Sequence, residues 1–134
     1  MAEYRAEVDD HRIQKVSTME AFRSLVREAP VLVMFTAKFC VPCTRFKSNF
    51  AELSLHGDFQ GLAFAEADIQ VLEEAADENM VDSLPTFCLF VGGVCVARCS
   101  GVAHKRPARR VSKMLRSYLN LDEGADLSKV ADDS

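Results

Sequence analysis

The run Val31-Leu32-Val33-Met34-Phe35 restricts the fold of this chain more than any other stretch. A strand with one wet face alternates apolar and polar residues. An unbroken apolar run of this kind, rich in valine, belongs to a strand covered on both faces. Taken with the strand and helix signals around it, it points to the α/β class, a sheet with helices packed above and below. A chain of 134 residues, 49% of them apolar, can build one such core. We expect a single domain over residues 1–134, with an N-terminal extension over about 1–10 and an acidic tail over about 122–134.

Strand and helix signals alternate around that run. Arg12-Ile13-Gln14-Lys15-Val16 reads as a short strand. Ser17-Thr18-Met19-Glu20 reads as a capping box, opening a helix that carries Phe22, Leu25, Val26 and Ala29 and stops at Pro30. Phe46, Phe50 and Leu53 mark a second helix that Gly57 closes, and Leu62 to Ile69 gives another strand. Val71, Leu72, Ala75, Ala76 and Met80 mark the apolar face of a third helix. Thr86–Val91 and Val94–Cys99 are strand-like runs joined by Gly92-Gly93, a hairpin signal. Ala108, Val111, Leu115, Tyr118 and Leu119 mark the last helix. The order is βαβαβαββα, a mixed central sheet with helices on both faces.

Cys40 and Cys43 stand three positions apart where the buried strand gives way to a helix. If Cys40 opens that helix, unpaired N–H groups and the positive end of the helix dipole lie beside its sulfur. Both favour the thiolate, the nucleophile of thiol–disulfide exchange. Cys43, one turn on, can attack a mixed disulfide on Cys40 and release the partner reduced. Pro42 has no N–H and a preset φ, which suits a first helical turn. Two other readings use the same pair. A zinc site needs two more ligands, and Cys88, Cys95, Cys99, His56 and His104 show no second paired spacing. Two cysteines serving only as small packing groups are the other alternative. The redox dithiol is the preferred reading, with no metal and no cofactor expected.

A net charge of −4 and a pI near 5.4 argue against general nucleic-acid binding. No stretch approaches the roughly 20 apolar residues of a membrane span. Glu3, Glu7, Asp9 and Asp10 make the N-terminus unlike a signal peptide or mitochondrial presequence. Five cysteines, an odd number, fit a reducing compartment. We expect a cytoplasmic monomer; the basic run Lys105 to Arg110 leaves a nuclear location open.

Taken together, these motifs resemble the thioredoxin family. There a buried strand runs into Trp-Cys-Gly-Pro-Cys, matched here by Phe35 through Cys43. A cis-proline follows the third helix, matched by Leu84-Pro85-Thr86-Phe87, and then a glycine hairpin and a later glycine, matched by Gly92, Gly93 and Gly101. The resemblance covers about residues 11–120. It implies the thioredoxin fold and a thiol–disulfide oxidoreductase that reduces disulfides in client proteins. It implies Cys40 as attacking thiol, Cys43 as resolving thiol and Pro85 as the cis-proline beside them. Phe39, Val41, Pro42, Leu84, Pro85 and Gly101 would form the client-binding surface, with the Leu84 backbone open to strand addition. The implied partners are disulfide-bearing clients and an upstream reductase or low-molecular-weight thiol.

Departures from the family pattern are informative. Phe39 replaces tryptophan and loses the indole N–H, while Val41 replaces glycine and puts a branched side chain at the contact surface. Ser48 replaces a kinking proline, so the dithiol helix is expected to run straighter. Met34 replaces the buried aspartate that helps Cys43 lose its proton. By the same resemblance Glu66 falls where many bacterial thioredoxins place a lysine, on the strand expected beside Val31–Thr36. It is the candidate proton acceptor; a solvated glutamate at the sheet edge is the alternative. These departures keep a second function class open, a thioredoxin-fold binding module with vestigial turnover. Cys88, Cys95 and Cys99 read as buried, inert thiols, with a regulatory or dimer-forming thiol among them as the alternative, and His11, His56 and His104 read as surface residues.

Overall fold

The computed structural model describes residues 12–100 and 107–121. In chain order it holds β1 (Ile13–Val16), α1 (Met19–Glu28), β2 (Val31–Thr36), α2 (Val41–Leu55) and a 3-10 turn (Gly57–Phe59). Then come β3 (Ala63–Asp68), α3 (Glu73–Glu78), β4 (Thr86–Val91), β5 (Val94–Ser100) and α4 (Pro107–Leu119). The strands form one mixed sheet in the order β1-β3-β2-β4-β5. β3 runs parallel to β1 and β2; β4 is antiparallel to β2 and β5. The expected element order and the mixed sheet are both present.

Every residue of β2 is buried, as its apolar run requires. The pleat sends Leu32 and Met34 to the face covered by Phe46, Phe50 and Leu53 of α2 and by Val111 and Leu115 of α4. Val31, Val33 and Phe35 go to the other face, against Phe22 and Val26 of α1 and Leu72 and Ala75 around α3. Each large side chain among these contributes about 1.5–3 kcal/mol by leaving water. Phe87 of β4 joins the first face, its ring 4.8 Å from that of Phe46 and 6.1 Å from that of Phe50. Two cores back to back hold β2 fast, and so fix where the chain emerges at Cys40.

Several details differ from the sequence reading. Thr18, not Ser17, caps α1: its Oγ1 accepts the Ala21 N–H at 3.1 Å, and Ala21 has no carboxylate to complete a capping box. α3 is shorter than expected, and Val71 and Met80 lie outside it at 54% and 75% exposed. The chain first turns over the Asp68 carbonyl, which accepts the Val71 and Leu72 N–H groups. It leaves the helix at Met80 (φ 52°), where the Val81 N–H bonds back to Ala76. On α4 the buried place goes to Arg116 while Tyr118 is exposed. His56 is half-buried rather than a free surface residue; its Nδ1 accepts the Asp58 N–H at 3.1 Å and its ring lies against Phe59. α2 runs unbroken through Ser48. The expected terminal extension and tail, Gly101, His11, His104, Lys105 and Arg106 lie outside the described residues. Among the described residues no helix is long and apolar enough to cross a membrane.

Candidate active site

The end of β2 delivers the chain into a tight turn, closed by a hydrogen bond from the Cys40 N–H to the Ala37 carbonyl. Cys40 is the N-cap of α2. Its sulfur accepts the Cys43 N–H at 3.1 Å, and its carbonyl accepts the Thr44 N–H at 3.2 Å. A sulfur in this role meets one of the orphan donors that every helix N-terminus leaves. Pro42, in the first turn, needs no partner for a missing N–H. Cys40 and Cys43 are joined as a disulfide, with Cα atoms 5.3 Å apart. Ala37 is buried with the pair, and Ile69 and Leu84 pack against it.

Cys43 is completely buried, and Cys40 is 7% exposed. Ala37, Ile69 and Leu84 close around the disulfide and leave Cys40 only slightly open. Cys40 alone of the two lines a groove of about 600 Å³. Phe39, Val41 and Pro42 form one wall of it; Ile69 and the segment Val81 to Leu84 form the other. Phe39 and Val41 are 68% and 62% exposed, so two apolar side chains stand in water at its rim. The Leu84–Pro85 peptide bond is cis, and Pro85 itself is buried. Ile69, Val81, Asp82 and Ser83 are groove residues that sequence reasoning missed. Their only signal was proximity to Leu84 and Pro85, or to the end of a predicted strand.

Glu66 is not a solvated edge residue. β3 lies inside the sheet, and Glu66 pairs in register with Met34, so both face α2. Its side chain is 12% exposed, and Lys47 of α2 brings its Nζ to 3.9 Å from a carboxylate oxygen. Met34 is fully buried within the aromatic cluster.

The three remaining cysteines are not equivalent buried thiols. Cys88 is buried, while Cys95 and Cys99 are half-buried. A hydrogen bond with the Cys95 sulfur and burial push the Cys88 thiol pKa far up. The same hydrogen bond, with help from Arg98, pulls that of Cys95 down. Burial raises that of Cys99. Among the described residues no group of three or more His, Cys, Asp or Glu side chains is placed to hold a metal ion.

Comparison with known proteins agrees with this geometry. The sequence matches the family model described as Thioredoxin over residues 13–116. It is 34% identical over 85 residues to Thioredoxin Asp f 29 of Aspergillus fumigatus, a match spanning 62% of this chain and 77% of that protein. It is 36% identical over 87 residues to Thioredoxin H2-1 of Oryza sativa subsp. japonica, spanning 65% of this chain and 61% of that one. Its fold superposes on the crystal structure of thioredoxin from Trypanosoma brucei brucei with a TM-score of 0.72 at 21% identity, over 87% of this chain and 99% of that chain. The chain belongs to the thioredoxin family, and with its Cys40/Cys43 pair it is a thiol–disulfide oxidoreductase.

Proposed function

We propose that this protein reduces disulfide bonds in client proteins, with Cys40 as the attacking thiol and Cys43 as the resolving thiol. The observation that carries the reading is that only Cys40 of the pair lines the groove, at the amide end of α2. In the reduced protein the Cys40 thiolate attacks one client sulfur, the client S–S bond breaks, and the other client sulfur leaves as a thiolate. Cys43 then gives up its proton and attacks the Cys40 sulfur. The client leaves reduced, and the Cys40–Cys43 disulfide remains. Two electrons from an upstream reductase or a low-molecular-weight thiol regenerate the dithiol. The client lies extended in the groove, its backbone pairing with Leu84 and its apolar side chains resting on Phe39, Val41 and Pro42. Pro85 supports that edge; Gly101 lies outside the described residues. Glu66, sharing the Met34 face of the sheet, takes the Cys43 proton. The setting is the cytosol, and the protein works as a monomer.

Insulin reduction followed by turbidity, with dithiothreitol as electron donor, tests this reading. A rate well above the dithiothreitol background is expected. A rate equal to background would instead favour a binding module. A Cys43→Ser variant should hold clients as mixed disulfides on Cys40, because no second thiol remains to resolve them.

A further inference from the structure

Two other thiols meet on the β4–β5 hairpin. Its ladder is shifted by a β-bulge: Leu89 faces Ala97, but Phe90 faces Cys95, and Val96 is the extra residue. In a regular ladder Phe90 would face Val96, and Cys95 would point to the opposite side of the sheet. The bulge instead turns Cys95 onto the face of Cys88 and Phe90, where it packs on the core under α1 and α3. There Cys88 and Cys95 belong to one cluster, on neighbouring pairs of the same face of the hairpin. As a thiol, Cys95 donates its S–H to the Ala97 carbonyl oxygen at 3.4 Å, a bond given up when the thiolate forms. Arg98, directly opposite Cys88, adds positive charge to both sulfurs. Its guanidinium bonds to neutral acceptors, the Asn79 and Met80 carbonyls, at 2.7 and 3.3 Å. Cys99 faces Phe87 and packs on the other side of the sheet.

Exposure divides the two thiols. Cys95 is half-buried and open to a small solute, whereas Cys88 is buried. We propose that Cys88 and Cys95 form a second oxidisable dithiol, separate from Cys40/Cys43, that takes low-molecular-weight disulfides as its oxidant. The Cys95 thiolate attacks one sulfur of the small disulfide, giving a mixed disulfide on Cys95 and one released thiolate. The Cys95 charge that held the Cys88 proton is then gone. Cys88 passes its proton to the released thiolate and attacks the Cys95 sulfur. The second small thiolate leaves, and a Cys88–Cys95 disulfide closes across the hairpin. Two protein thiols have lost two electrons, and one small disulfide has become two thiols.

Oxidised glutathione is the probe. The full chain, first reduced and freed of reductant, is titrated with it, quenched in acid, alkylated and peptide-mapped by mass spectrometry. The expected product links the Cys88 and Cys95 peptides. In Cys88→Ala a glutathione adduct should accumulate on Cys95 to several times its level in the natural chain. An unresolved adduct on Cys95 of the natural chain without that link would overturn the proposal. So would an unmodified Cys95 in samples where Cys40 and Cys43 are oxidised. If Cys88→Ala does not fold, the map of the natural chain decides alone. The map reads this pair apart from Cys40/Cys43, so its failure leaves the reductase reading untouched.

Discussion

Cys88 hydrogen-bonds to the Cys95 sulfur and Arg98 adds positive charge, and against the opposing effect of burial these bring the Cys95 pKa to about 6. Since the thiolate is the reactive form, alkylation of Cys95 should reach half its limiting rate near pH 6, whereas an ordinary thiol needs about pH 8.5. At neutral pH iodoacetamide should therefore label Cys95 before Cys99 and Cys88, as read by peptide mapping. Equal labelling of Cys95 and Cys99 would contradict the assignment. Glu66 gives a second residue-scale test. With Met34 unable to titrate, Glu66→Gln should slow resolution of a client mixed disulfide, measured by quenched flow, and leave its formation unchanged. An unchanged resolution rate would remove Glu66 from the reaction. The dithiol was legible in the sequence because its geometry is local: spacing, a preceding strand and a proline suffice. Cys95 was not, because a single inserted residue reverses the alternation from which its face would be read.

At the scale of elements, the packing of α4 rests on a buried cation. Arg116 is 1% exposed, donates to Asp58 Oδ2 at 2.9 Å and lies 5.3 Å over the Phe59 ring. Among the described residues its Nε and Nη2 have no hydrogen-bond partner, so Asp58 is the carboxylate that answers its charge. Asp58→Asn should lower stability by about 1–3 kcal/mol, because a buried charged donor loses its counter-charge. Urea denaturation followed by circular dichroism checks this; a midpoint unchanged from the natural chain would show that the ion pair adds nothing. The helix itself was readable from the spacing of Ala108, Val111 and Leu115. The burial of Arg116 was not, since its partners come from a 3-10 turn 58 residues earlier in the chain. α3 failed at its ends for a related reason. Val71 and Met80 have helical spacing, but the turn over Asp68 and the left-handed Met80 lie outside what periodicity reports.

Across the whole molecule, one strand determines most of the architecture. The apolar run of β2 demanded cover on both faces, and two cores on either side of the sheet supply it. Element order followed from local pattern, yet strand order did not. Placing β3 between β1 and β2 requires contacts far apart in sequence, and that placement is what carries Glu66 from a supposed edge to the sheet interior. The outer strands of the described sheet are β1 and β5. β5 turns Val94 and Val96 outward, 62% and 49% exposed, on a strand whose outer backbone groups have no strand beside them among the described residues. A flat apolar edge of that kind is a template on which a second chain can add, and repeated addition leads to aggregates. The bulge that aims Cys95 inward also breaks the straightness of this edge and adds local twist, while Arg98 sets a cation along it. One extra residue thus serves colloidal stability as well as thiol chemistry, by making the open side of the sheet a poor surface for a copy of itself.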